Sequence, residues 1–144
     1  MKKLLFLLAF ILCFGSLINA QTKPVPWTAE QAVPPSVLAA KIVKKQTKNI
    51  LILSVGPSAV VKGSVDLGAM GDAENLKKLE DYVKNLDKKK EIIIYCGCCP
   101  YERCPNIRPP FNKLVEMGFK KVKVLDLPTN VKTDWIDHNY PTID

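Results

Sequence analysis

The chain has 144 residues and a formal net charge of +7, from 21 Lys and Arg against 14 Asp and Glu. That length suits one compact domain with its own core rather than a multidomain assembly. The basic excess is modest and scattered as lysine on polar faces, with no basic stripe interleaved with aromatics, which argues against nucleic acid as a partner.

Residues 1–20 read as a secretory signal peptide: Lys2 and Lys3, an apolar run over 4–14, then Ser16 and the small residue Ala20 before Gln21. A membrane anchor would need about 20 apolar residues in a row. A lipoprotein would need small residues before Cys13, where Phe10, Ile11 and Leu12 stand. Loss of 20 of the 144 residues leaves 124, takes Lys2, Lys3 and Cys13 with it, and lowers the charge from +7 to +5. The expected location is periplasmic or extracellular, with no stable membrane span after signal removal.

Next comes a Pro-rich leading segment, 21–35, in which Pro24, Pro26, Pro34 and Pro35 oppose a helix or a central strand, and Trp27 is the residue to pin it to the domain. The domain itself is expected over 36–144. Ser36 is the expected N-cap of a helix over 37–45, with Leu38 and Ile42 four apart and lysines late, where they suit the helix dipole. The run ILILS at 50–54 reads as a short buried strand ended by Gly56 and Pro57. Residues 55–71 are mostly loop, with SVDLG at 64–68 as a short extended piece. Asp72 caps an amphipathic helix whose Leu76, Leu79, Val83 and Leu86 share one stripe, and Lys88, Lys89 and Lys90 form a solvated turn after it. Ile92, Ile93, Ile94 and Tyr95 make an uninterrupted β-branched and aromatic run, the pattern of a strand covered on both faces in a parallel sheet. A further helix starts near Ile107, carries Phe111, Leu114, Val115 and Met117, has Pro109 and Pro110 in its first turn and ends on Gly118. Residues 122–125 form another strand, and the turn-rich remainder is expected to be packed back by Trp135. Strands and helices thus alternate with short connections, which predicts an α/β domain with a mainly parallel sheet flanked by helices on both faces.

The chemistry concentrates between Glu91 and Phe111, a stretch holding four of the five cysteines and both arginines, Arg103 and Arg108. Cys96 stands where the 92–95 strand ends, and ligands of open α/β sheets sit outside the carboxyl ends of the strands. A free thiol ionises near pH 8.5, but helix N-termini and nearby arginines lower that to about 3.5–7.5. Loop N–H groups running into a helix form a cradle for a thiolate, a persulfide or a sulfonate. Arginine suits a bidentate grip on an oxyanion; the alternative for Arg103 and Arg108 is to tie a long loop through its carbonyls. Cys98, Cys99 and Cys104 are candidates for resolving or disulfide bonding, and Cys99 with Cys104 is the expected pair, because adjacent cysteines such as Cys98 and Cys99 bridge only with strain. His138, the single histidine, lies in the tail, where a surface or packing role is expected.

From residue 37 to Trp135 the order of elements, with Tyr95 and Cys96 closing a buried strand, Gly118 and Phe119 closing the next helix, the VKVL strand and Lys62-Gly63-Ser64 at a turn, resembles a rhodanese-like (sulfurtransferase) domain. The resemblance implies that Cys96 takes a sulfane sulfur, holds it as a persulfide and passes it to a nucleophile, in a thiosulfate:cyanide type of reaction. It also implies that Gly97, Cys98, Arg103 and Arg108 bind a small anion such as thiosulfate, that a thiol protein is an acceptor, and that no cofactor or metal takes part. The sequence departs from the family where Ser54, Val55 and Gly56 replace an Asp-Val-Arg-like triplet. It departs again where Tyr101 stands in place of an arginine, with Arg103 two residues further on. Spacing to Arg103 would nominate Cys98 as the nucleophile, whereas the strand end favours Cys96.

Two other functions compete. Cys96 to Cys99 contains a C-x-x-C after a strand, as in thiol–disulfide oxidoreductases, and Tyr140-Pro141-Thr142 resembles the proline facing that motif in thioredoxin-like proteins. That fold needs antiparallel strands and a helix beyond the proline. The cysteines also offer thiolates for Zn(II) or Cu(I), but their C-x-C-C spacing lacks the paired arms of ordinary zinc sites. A non-catalytic rhodanese-like binding module is the alternative if Cys96 is inert.

Overall fold

The computed structural model describes residues 24–143, so the signal-peptide assignment and the first residues of the leading segment lie outside it. A 3-10 turn, Ala29–Gln31, precedes β1 (Ala32–Val33), α1 (Pro35–Val43), β2 (Ile50–Ser54), β3 (Val65–Asp66), α2 (Ala73–Val83), β4 (Glu91–Tyr95), α3 (Arg108–Glu116) and β5 (Lys121–Leu125); a π-helical turn, Lys132–Ile136, follows. The strands form one five-stranded sheet in the order β1-β5-β4-β2-β3, every neighbouring pair parallel. This is the α/β, parallel-sheet arrangement expected of a rhodanese-like domain. Right-handed crossovers fix the layers: the steps β2 to β4 and β4 to β5 run one way along the sheet, so α2 and α3 share a face, and the step β1 to β2 runs the other way, so α1 covers the opposite one.

The apolar run of β4 has the environment its composition requires, with Ile92, Ile93, Ile94 and Tyr95 all fully buried between β2 and β5. Each such aliphatic side chain contributes about 1.5–3 kcal/mol on leaving water. The first helix begins earlier than the 37–45 expected: Pro34 is the N-cap and Pro35 the first helical residue, because a fixed φ near −65° and a missing N–H suit a helix start better than a serine cap one residue on. The leading segment also donates a strand. Ala32 and Val33 pair with Val124 and Leu125 at the sheet edge, where flanking prolines do no harm. Gln31 holds it there by donating from Nε2 to the Val122 carbonyl at 3.2 Å. Asp72 caps α2 as expected, its carboxylate accepting from the Glu74 N–H, and Gly118 closes α3 at φ +87°.

Two contacts position the carboxyl end of the sheet. Register sets Ser54 beside Tyr95, which brings the loop after β2 against the loop after β4. The Tyr95 hydroxyl then accepts from the N–H groups of Val60 (2.8 Å) and Val61 (3.1 Å) and lies 2.9 Å from Ser64 Oγ. Ser64 donates its own proton to the Val61 carbonyl at 2.7 Å, so the phenol donates to Ser64. The tail closes over the same loop, with Lys62 N–H donating to the Pro141 carbonyl and Ile143 N–H to that of Val60. Trp135 is fully buried and donates from Nε1 to Pro141, as its anchoring role required. Tyr95→Phe leaves two backbone donors without their acceptor, and the expected loss is about 1–3 kcal/mol. It is measured as a lower urea midpoint at unchanged m-value.

Candidate functional site

Cys96 follows directly on β4, and three loops converge on it. From the β2 side comes Gly56, where an added Cβ would lie 3.0 Å from the Cys96 sulfur and 3.4 Å from its Cα. From the β5 side comes Val131, whose N–H donates to the Gly97 carbonyl at 3.0 Å and whose side chain would meet a Cβ on Gly97 at 2.5 Å. Gly97 therefore serves close approach of two loops, and its side of the chain faces Val131. The third element is the cysteine's own loop, closed by Tyr101. That ring is buried; its hydroxyl donates to the Leu125 carbonyl at 2.5 Å, and its edge packs against Trp27 with centroids 5.6 Å apart. Trp27 also meets Phe111 of α3, so the leading segment braces the site loop.

The strand end does not expose the sulfur of Cys96. Cys96 is 0% exposed, Cys104 is buried and Cys99 half-buried, whereas Cys98 is open to solvent. The sulfur of Cys98 lies 3.2 Å from that of Cys96, 3.0 Å from that of Cys99 and 3.9 Å from that of Cys104. All four are free thiols. In this thiol form Cys98 is the hub of the cluster, and the turn over 100–103, closed by Arg103 N–H to the Pro100 carbonyl, folds Cys104 back towards it.

Sequence reasoning missed Asn106. This buried side chain accepts from the Gly71 N–H at 2.8 Å and aims its amide at the sulfurs, 3.6 Å from Cys96 and 4.0 Å from Cys98. A buried asparagine must have partners for its amide, but nothing in the string CPNIRPP says that they are thiols. The Cys96 thiol is lowered to about 6 by the Cys104 thiol first, against the opposing effect of burial, and then by the Cys98 N–H, the Cys98 thiol and Asn106. Burial and the sulfurs on either side push Cys98 up to about 12. Cys104 is raised too, chiefly because its proton is shared with Cys96. One thiolate among protonated neighbours is the result, and it sits on the residue at the strand end.

The arginines divide. Arg108 donates to the loop carbonyls of Cys104 and Glu102, both at 3.3 Å, which is the loop-tying role. Arg103 is exposed, and its guanidinium makes no hydrogen bond or ion pair among the described residues. His138 is exposed and stacks on Tyr140 with centroids 5.4 Å apart. It lines a separate hollow of about 240 Å³ with Pro34, Pro35, Asp126 and Asp134.

No family model matches the chain, and no curated protein matches it. Among solved structures it is similar to the Alr3790 protein from Anabaena sp., with a TM-score of 0.57 and 18% identity over 77% of this chain and 90% of that one. At that identity the likeness shows the fold alone.

The thiolate has a measurable signature. Thiolate ultraviolet absorbance is expected to rise through pH about 6, a step missing from Cys96→Ser and moved upward in Cys104→Ala. Because the folded value lies below the unfolded one near 8.5, ionised Cys96 favours the fold fully above the latter, and that contribution is lost as pH falls through the former.

Proposed function

We propose that the protein is a sulfurtransferase-like carrier of sulfane sulfur with Cys96 as its nucleophile. The observation that carries this reading is a buried strand-end cysteine whose sulfur is met by the Asn106 amide and the Cys98 thiol of its own loop, surroundings that lower its thiol to about 6. Such a group is largely thiolate at neutral pH, the form that attacks sulfur. The Cys96 thiolate attacks the outer sulfur of thiosulfate, the S–S bond breaks, and sulfite leaves with the bonding pair. The product, a Cys96 persulfide, is then attacked at its outer sulfur by cyanide or a thiol, and the Cys96 thiolate is released. Asn106 and the Cys98 N–H serve the anion in both steps. Arg103 is the cation free to hold the donor's sulfonate, whereas Arg108 is engaged with carbonyls. Cys98 lies over the buried sulfur, so its side chain turns aside for the donor to reach Cys96. The resemblance to rhodanese-like domains supports the same assignment, and export after cleavage at Ala20 belongs to it; intact mass of the exported protein should correspond to a chain starting at Gln21.

A thiol–disulfide oxidoreductase is the second reading, favoured by the 3.2 Å approach of Cys96 to Cys98. The pair would reduce a substrate disulfide and end as a Cys96–Cys98 disulfide, in place of the Cys96/Cys99 pair that the C-x-x-C spacing suggested. The all-parallel sheet speaks against the thioredoxin-like version of this chemistry, and Pro141 is engaged with Lys62 and Trp135.

Mass spectrometry of the reduced protein after thiosulfate treatment is expected to show one added sulfur on the peptide containing Cys96. Cys96→Ser abolishes it. Arg103→Ala raises the thiosulfate concentration needed by about 10-fold, near the low end of what one charge-assisted contact contributes, because Arg103 is exposed. A wild-type protein that gains no sulfur but cycles a Cys96–Cys98 disulfide would move the assignment to the oxidoreductase. Inertness in both assays would leave a binding module.

A further inference from the structure

Beyond its hydrogen bond to Cys96, sulfur transfer gives no role to Cys104, a thiol 1% exposed at the back of the loop. Its placement completes a triangle. The sulfurs of Cys96, Cys98 and Cys104 lie within 4.8 Å of one another, with Cys96 to Cys98 at 3.2 Å and Cys98 to Cys104 at 3.9 Å. A metal–thiolate bond of about 2.3 Å in a trigonal plane sets ligated sulfurs about 4 Å apart, so these three reach a common centre with shifts below an ångström.

We propose that Cys96, Cys98 and Cys104 bind one Cu(I) ion. The donor set selects the metal. It holds three thiolate sulfurs and neither imidazole nor carboxylate, and soft ligands of this kind suit Cu(I). A structural Zn(II) site requires four ligands; Cys99, the remaining cysteine of the loop, makes its sulfur contact with Cys98 and lies outside the triangle. Cu(I), with a closed shell and no demand for a fourth donor, is complete with three thiolates. The surroundings fit as well. Asn106 aims its amide at two of the sulfurs, the outer-sphere contact that orients metal ligands and offsets their charge. Two ligands are buried and one is exposed, so the ion enters at Cys98 and comes to rest away from water, on a loop tied by Arg108 and Tyr101. Binding displaces the thiol protons, so affinity rises with pH. It also occupies Cys96, so a loaded protein accepts no sulfur; the site itself does not depend on the sulfur-transfer reading.

The test uses the reduced full chain without oxygen, titrated with Cu(I) held by the chelator bicinchoninate. The protein is expected to withdraw one Cu(I) per chain, and X-ray absorption to give three sulfur neighbours at about 2.3 Å. Cys98→Ser and Cys104→Ser should each lower the affinity by about 10-fold or more, the loss of a ligand exceeding that of an outer-sphere contact, while Cys99→Ser leaves it unchanged. Cys98 is exposed, so its variant tests the ligand set with the core intact even if Cys104→Ser fails to fold. Failure to withdraw copper, a shell with fewer than three sulfurs, equal loss in Cys99→Ser, or displacement of Cu(I) by equimolar Zn(II) would each overturn the proposal. None of these outcomes bears on whether thiosulfate adds sulfur to Cys96.

Discussion

Taking the Cys96 sulfur out of water sets the terms for everything around it. Burial alone opposes ionisation, yet this thiol ends lower than an exposed one because donors are built into the surrounding loops. Each donor depends on a scaffold contact further out. Cys104 reaches the sulfur only because the 100–103 turn folds back, and that turn is held by Arg108 beneath it and by Tyr101 reaching to Leu125. Asn106 points inward because Gly71 fixes its oxygen. Gly97 lets neighbouring loops approach where a methyl group would not fit, and Gly56 leaves the Cys96 sulfur room that a methyl group would crowd. The Tyr95 hydroxyl, one residue before Cys96, organises the loop after β2 that supplies the Gly56 wall.

Periodicity carries information about layers, and it carried the layers here. The β4 run read as buried on both faces because nothing polar interrupts it, ILILS read as a short buried strand, and VKVL as a further strand. Asp72, Gly118 and the prolines at the start of α3 mark helix ends through backbone chemistry that is local to a few residues. The edge strand β1 was illegible for the opposite reason. Two residues have no period, and Ala32 and Val33 become a strand only because β5 lies beside them.

The site was legible as a location and not as an arrangement. Cysteines in a strand-end loop identify a reactive region, but which sulfur is buried depends on how the loop folds back over itself. That in turn depends on Tyr101 finding the Leu125 carbonyl and on Trp27, more than seventy residues away in sequence, bracing the ring. Contacts of that range leave no spacing pattern. The same holds for Asn106, whose partners are Gly71 on one side and thiols on the other, and for the two arginines, of which Arg108 ties loop carbonyls and Arg103 is exposed.

Tyr101 explains why this loop differs chemically from the family it resembles. Where the resemblance leads one to expect an arginine facing the nucleophile, a buried phenol takes the position and spends its hydroxyl on Leu125. The positive charge moves two residues along and out to solvent at Arg103. Around Cys96, side-chain donors of the loop are then a neutral amide and neighbouring thiols. A pocket of that kind holds an oxyanion less firmly than one lined by arginine, since neutral donors contribute roughly half as much as charged ones. It is correspondingly better matched to sulfur itself, whether as thiol, persulfide or thiolate-bound soft metal. Under the proposed reading, selectivity at this site rests on sulfur contacts, with charge acting only at the rim.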